Sequence, residues 1–380
     1  MRYVRFLKTP RIVEKHPAKP YIYCLVTITS DLGDSFLPHD VVLSAELRSA
    51  ESNEEVIVWS TAKWTGGMRS LPITLPFSKS RAATALRVRV GVGEPNTLYD
   101  TYHGLNGDGQ RGIVSAWSEP LGLQNGIKEA AKLVERRFQY DNGQIVKIRE
   151  ETGESIARHL WDAGLTMSCH LENRLVAGEQ KPFSLAQALP NRRTKSRFQV
   201  LELGTGCGMV GISVAQMVEE ADVVLTDLAE AEEIAQRNIA NAKLATGTTL
   251  KFHELDWDEE IPKDLNAWSK CPHCAQFDFI CAADCTYNPD SSPALVNTLR
   301  RLTKASPDAL VAIAMKKRHS TEEVFFDLMS EAQFKICADE LVFPLPGDEE
   351  TGEETVFIYL FRYEGDVADV SPNEFCCAAR

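Results

Sequence analysis

The run from Val200 to Ile212, VLELGTGCGMVGI, packs four glycines into eight positions directly behind a short apolar stretch. Glycines this dense permit a tight turn and let the backbone approach a ligand closely, which a chain needs where a strand ends and a helix begins. The same letters satisfy two patterns. Gly206, Gly208 and Gly211 spell G-x-G-x-x-G, whereas Glu202, Gly204, Gly206 and Gly208 spell E-x-G-x-G-x-G. Either one predicts strand, loop and helix in succession, the unit from which sheets covered by helices are built.

The surrounding texture agrees. Short apolar segments alternate with helical patterns: FQVLEL with MVGISVAQMV, DVVLTD with AEAEEIAQRNIANAKL, FDFICAAD with SPALVNTLRRLTKA, and ALVAIAM with TEEVFFDLMSEA. Such alternation predicts a mainly parallel sheet covered on both faces. The last two segments, FKICADELV and ETVFIYLFRY, have no helix between them and must therefore run antiparallel to each other. The fold class is α/β, a Rossmann-like seven-strand sheet ending in an antiparallel hairpin.

Before it the pattern has period two. YIYCLVTI, VVLSAEL, EVIVWSTAKW, LPITLPF and ALRVRVGV read as five strands without helices between them, a smaller all-β sandwich or barrel. The division expected is a β-rich recognition domain over residues 1–125, a linker helix over 126–142 (GIKEAAKLVERRF is its helical stretch), the α/β domain over 143–365, and a disordered tail over 366–380.

Which ligand the glycine loop holds is decided by its neighbours. G-x-G-x-x-G alone suits a nicotinamide dinucleotide, with Asp227, 23 positions after Gly204, on a ribose. Glu202 inside the strand tips the reading to S-adenosylmethionine, whose amine and sulfonium are cationic and which carries no pyrophosphate. Asp256 and Trp257, in HELDWDEEIP, add an acid and an aromatic face suited to adenine.

These residues, in this order, resemble the family-16 protein lysine methyltransferases of the seven-strand class, the group that modifies chaperones, elongation factors and calmodulin. The resemblance runs from about Gly143 to Tyr363. It takes in IVKIREETGESIARHLWDAGLTMSCHLE, LELGTGCGMVGI, Asp227, LDW, AADCTY and KKRHSTEEVFF. It implies cofactor contacts at Trp161, Gly204, Thr205, Gly206, Asp227, Trp257 and Ala283, with Glu202 and Asp256 beside them, and a D-x-x-Y motif of Asp284 and Tyr287 facing methyl transfer. The implied activity is transfer of a methyl group from S-adenosylmethionine to a lysine of a protein, an elongation factor or chaperone among the candidates. In the D-x-x-Y motif Cys285 and Thr286 replace the usual aliphatic pair, and the β-rich domain lies outside the resemblance.

A small-molecule N-methyltransferase would share the cofactor half, and a nicotinamide-dependent oxidoreductase is the alternative from another reaction class. A base-amine methyltransferase is disfavoured, because NPDS at Asn288–Ser291 lacks the second proline and the aromatic. The net charge of −13 also argues against nucleic-acid or anionic-membrane partners. No segment approaches the ~20 apolar residues of a membrane span. Ten irregularly spaced cysteines point to a reducing compartment, cytosol or nucleus. CPHC (Cys271–Cys274) has no second ligand pair for zinc, so no metal is expected. The final CAAR ends in the wrong residue for prenylation. Lys316, Lys317 and Arg318 read as a solvated basic loop, with contact to a substrate protein as the alternative. Oligomeric state is not legible in the residues.

Overall fold

Alternating side chains build the first of two compact units, Met1–Leu160 with Pro344–Glu354. The computed structural model describes residues 1–14, 20–51, 53–78, 85–94, 96–105, 112–122, 126–151, 156–175, 197–266, 277–317, 323–345 and 355–365. Its strands in this unit are β1 (Arg2–Val13), β2 (Tyr21–Thr29), β3 (Val41–Ser49), β4 (Val56–Trp64), β5 (Leu71–Pro76), β6 (Leu86–Gly91), β7 (Asp100–Thr101), β8 (Ile113–Val114), β9 (Ala116–Ser118), β10 (Leu133–Gln139) and β11 (Ile145–Glu151). A single helical turn, α1 (Tyr102–Leu105), follows β7. One sheet is ordered β5-β2-β1-β8. The other runs β11-β10-β9-β6-β3-β4, with β7 beside β10. Val4, Ile22 and Val26 of the first sheet share a buried core with Leu43, Leu47 and Val88 of the second, so the unit is a sandwich.

Two expectations fail here for one reason. The linker helix over 126–142 does not exist: Leu133–Gln139 is β10, paired with β9 and β11. IVKIREE, assigned to the α/β domain, is β11 of the same sheet, and the second unit begins at Trp161 rather than at 143. LVERRFQ looks helical because its period-two pattern is hidden in charged residues that are nevertheless buried. Trp59, Glu46, Arg89, Trp117, Glu135 and Arg149 form a cross-strand row on one face of the sheet. There Arg137 stacks 3.7 Å over Trp117 while its Nε meets Glu135 at 2.6 Å. On the other face Arg136 is paired with Glu150 and donates to the carbonyl of Val4 at 2.8 Å. Pairing of this kind satisfies charges that could not otherwise be buried. The expected tail over 366–380 lies outside the described residues, as do CPHC, CAAR and Arg318.

The second unit, Trp161–Phe343 with Thr355–Arg380, has the expected α/β order. It contains α2 (Asp162–Leu175), β12 (Phe198–Leu203), α3 (Met209–Met217), β13 (Ala221–Asp227), α4 (Ala229–Asn241), β14 (Thr249–Glu254), α5 (Lys263–Asn266) and β15 (Phe279–Ala283). It continues through α6 (Ser292–Ala305), β16 (Leu310–Lys316), α7 (Val324–Glu331), β17 (Phe334–Ile336), β18 (Leu341–Pro344) and β19 (Thr355–Tyr363). The sheet is ordered β14-β13-β12-β15-β16-β19-β17, with β18 on β19. The five strands from β14 to β16 in that order are parallel, and β19 is antiparallel to both neighbours. The strand order reverses at β12, where β13 and β15 flank it. A crevice at the carboxyl ends of such strands is where ligands of open α/β sheets bind.

Candidate active site

The glycine loop leaves β12 at that reversal point. Gly204, Gly206 and Gly208 have φ of 61°, 54° and 84°, the left-handed region in which a side chain is strained. At Gly204 a Cβ would also lie 2.5 Å from Cys285 Sγ and 3.3 Å from Cζ2 of Trp257. The loop is therefore fitted against the end of β15 on one side and the tryptophan after β14 on the other.

Glu202 is 2% exposed beneath this loop. Its Oε2 accepts the Thr205 hydroxyl at 2.7 Å and the Gly211 amide at 2.8 Å. It also accepts the amide of Val210, so a carboxylate of the protein itself caps the first turn of α3. A dinucleotide pyrophosphate needs those amides. Here they face an internal acid, Glu202. The site thus fits a cationic ligand and disfavours the nicotinamide alternative. Glu202 supports the loop from below, a role the motif alone did not reveal.

Asp227 ends β13 with its carboxylate spread over two amides, Gly206 at 2.7 Å and Leu228 at 2.8 Å. Burial raises its pKa, with the Gly206 and Leu228 amides opposing the rise. Both carboxylate oxygens are oriented by backbone, which fixes the acid relative to the loop. Asp256 and Trp257 follow β14. Asp256 closes a turn by accepting the Asp258 amide at 2.9 Å, and Trp257 packs half-buried against the core while its carbonyl accepts Thr298 Oγ1 at 3.2 Å. Trp161 is half-buried and its carbonyl accepts the Leu165 amide at the start of α2.

Ala283 is the last residue of β15, and Asp284 follows it with φ of 56°. Left-handed backbone at a residue other than glycine is held only when its surroundings impose it, and it concentrates at functional sites. The imposing contact is the Asp284 amide, which donates to the Ala314 carbonyl of β16 at 2.9 Å. Asp284 does not cap the next helix, because α6 begins at Ser292 behind Ser291. Tyr287 is 51% exposed on the same edge, and partial burial raises its hydroxyl pKa, so the group is protonated at neutral pH. Cys285 is buried with its Sγ 3.4 Å from the Leu203 carbonyl and 3.5 Å from that of Ala283. Burial pushes this thiol well above its ordinary pKa, as it does Cys281.

Of the basic cluster, Lys316 departs from expectation, while Lys317 is exposed. Lys316 is buried, with Nζ 3.0 Å from Asp162, the residue after Trp161. The two charges are 154 residues apart in the chain, so no local pattern signals the pairing. Among the described residues no group of three or more His, Cys, Asp or Glu could hold a metal, and no helix is long and apolar enough to cross a membrane.

The profile of a family described as lysine methyltransferase matches residues 140–332. The chain belongs to this family. The methyltransferase takes its methyl group from S-adenosylmethionine. It is 29% identical over 329 residues to a UPF0665 family protein of Schizosaccharomyces pombe, covering 85% of this chain and 91% of that one. That alignment is too long to be confined to the matched family region, so the likeness extends into the β-sandwich. EEF1A lysine methyltransferase 3 of Xenopus tropicalis is 26% identical over 58% of this chain and 83% of its own. Protein-lysine N-methyltransferase EFM6 of Saccharomyces cerevisiae is 30% identical over 35% of this chain and 56% of its own.

Glu202 gives the methyltransferase a measurable pH signature. Burial pushes its pKa up to about 7, the Thr205 and Gly211 hydrogen bonds opposing the rise. A carboxyl group whose folded pKa is raised binds its proton more tightly in the native state. The stability it confers is complete below the unfolded pKa near 4.5 and is lost as the pH climbs through about 7. The loss amounts to about 3 kcal/mol. In Glu202→Gln the amide oxygen still accepts from Thr205 and Gly211, so this loss disappears. Urea denaturation of both proteins at pH 5 and pH 8 checks it; parallel pH dependences would contradict a desolvated carboxyl at this position.

Proposed function

We propose that the protein methylates a lysine side chain of a protein substrate, with translation elongation factors and chaperones as the first candidates. The observation that carries the reading is Asp284, a carboxylate held in left-handed backbone at the end of β15, beside the glycine loop and the exposed Tyr287. The name of the Xenopus tropicalis relative, an EEF1A lysine methyltransferase, supports the elongation-factor candidate.

In this reading Gly204, Thr205 and Gly206 offer backbone to the cofactor, Asp227 takes its ribose hydroxyls, and Asp256 and Trp257 flank its adenine. Trp161 and Ala283 complete the contacts, and Glu202 holds the loop in place through Thr205 and Gly211. When bound, S-adenosylmethionine supplies an electrophilic methyl group on a sulfonium. The protein's own task is positioning. A lysine arrives as an ammonium, with a pKa of ~10.4 in water. Asp284 holds that ammonium at the strand end, and Tyr287 walls its path and accepts a hydrogen bond from the amine. Desolvation in the channel lowers the lysine pKa and favours the neutral nucleophile. Orientation, rather than proton abstraction, is the contribution of Asp284.

Incubation with methyl-labelled S-adenosylmethionine and a hypomethylated cell lysate tests this. The label should appear on a protein band and, after hydrolysis, in methylated lysine. Label found only in small metabolites would overturn the protein-substrate reading.

A further inference from the structure

Lys317, one residue past β16, places its Nζ 5.2 Å from the ring centre of Phe357, 5.5 Å from that of Phe326 and 6.0 Å from that of Tyr359. Phe357 and Tyr359 are two apart on β19 and share a face, their rings 19° from parallel with centres 6.3 Å apart. Phe326, on α7, meets Tyr359 edge to face at 72° and 4.7 Å. Two near-parallel rings and a third set almost perpendicular to one of them make three walls around a cation. Phe326 and Phe357 are half-buried, and Lys317 is exposed, so the walls open to solvent where the lysine leaves.

The box stands on the edge of the sheet that carries Asp284. The Ala314 carbonyl bonds the Asp284 amide, and Lys317 lies three residues further along the same strand direction. That is a separation of about 10 Å along the chain.

A tethered lysine is present at an effective concentration on the order of millimolar. An unmodified lysine from outside makes the same contacts and cannot displace it at lower concentration. A cation that favours aromatic faces more strongly can. N-methylation keeps the charge and removes the N–H groups that bind water, and quaternary ammonium groups are the preferred guests of aromatic cages. We propose that Phe326, Phe357 and Tyr359 form a second ammonium site whose ligand is an N-methylated lysine side chain, with Lys317 as its built-in occupant. The site distinguishes the product of the reaction from its substrate. This rests on the lysine-methylation reading above.

The test uses the full chain saturated with S-adenosylhomocysteine and Nα-acetyl-trimethyllysine amide as probe, with Nα-acetyl-lysine amide as control, titrated by NMR. Lys317→Ala, which opens the box, should bind the trimethylated probe about tenfold more tightly than the parent protein does, and about tenfold more tightly than it binds the control. Adding Phe357→Leu, which keeps apolar volume and removes a π face, should abolish that preference; Phe326→Leu replaces it if the first double variant does not fold. Equal binding of the two probes by Lys317→Ala would overturn the proposal, and so would a preference that survives loss of the rings. Methylation of lysate proteins is measured on a portion of the same protein free of S-adenosylhomocysteine. Activity without probe preference removes the second site alone, whereas absent lysine methylation removes the reading beneath it.

Discussion

Asp284→Asn lowers kcat/KM for lysine methylation by about a hundredfold while S-adenosylhomocysteine affinity stays within about threefold of the parent. Asparagine is the informative replacement because the residue occupies left-handed backbone at φ 56°, a region that Asn and Asp tolerate better than other side chains. The fold at the end of β15 then survives, and what is removed is the charge that holds an incoming ammonium. Asp284→Ala loses the same function and adds about 1 kcal/mol of backbone strain, so a thermal melt should separate the two variants although their activities do not. Steady-state kinetics with binding measured by calorimetry checks both halves. Normal transfer by Asp284→Asn would remove the carboxylate from the mechanism.

Gly204→Ala has the larger structural consequence. The new methyl group would sit 2.5 Å from Cys285 Sγ, a short buried side chain that cannot swing away, and would adopt φ of 61°. Left-handed strain costs about 1–2 kcal/mol and the overpacking about 1–3 kcal/mol more. Because Cys285 adjoins Asp284, relief of the clash shifts the D-x-x-Y segment together with the glycine loop. We expect S-adenosylhomocysteine affinity to fall by about a hundredfold, with methylation lost in proportion. Adding Cys285→Ala removes the clashing sulfur and leaves only the backbone strain, so the double variant should recover part of the affinity. A double-mutant cycle read by calorimetry checks it. If the two losses simply add, the contact between loop and D-x-x-Y segment is not what makes glycine necessary.

The cofactor half of the protein was readable because its signals are local. Gly204, Gly206 and Gly208 mark positive φ, Asp227 falls at the distance set by one strand, one helix and the next strand, and the missing helix before ETVFIYLFRY forces an antiparallel end. The five alternating segments before residue 92 are likewise β2 to β6. What was misread carries its pattern in charge. MRYVRFLKTPRIV is absent from the five strands read from the pattern and is β1, whose Arg2 bonds Ser35 at 2.6 Å and whose Arg5 bonds the carbonyl of Asp31 at 2.8 Å. GIKEAAKLVERRF favours a helix by propensity, yet Glu135, Arg136 and Arg137 are buried in β10, Glu135 against Arg87 and Arg149, Arg136 against Glu150, and Arg137 against Glu135 and Glu54. Lys316 and Lys317 look alike in the chain, but one is buried against Asp162 and the other is boxed by aromatic rings.

The residues alone thus determined the α/β sheet and the glycine loop, since backbone conformation and chain direction are set by neighbours in sequence. Only tertiary structure decided that Glu202 caps α3, that Asp284 sits in strained backbone, and that the first unit extends to Leu160. The physical reason is that burying a charge depends on a partner supplied from another strand or helix, and a linear reading has no access to who that partner is.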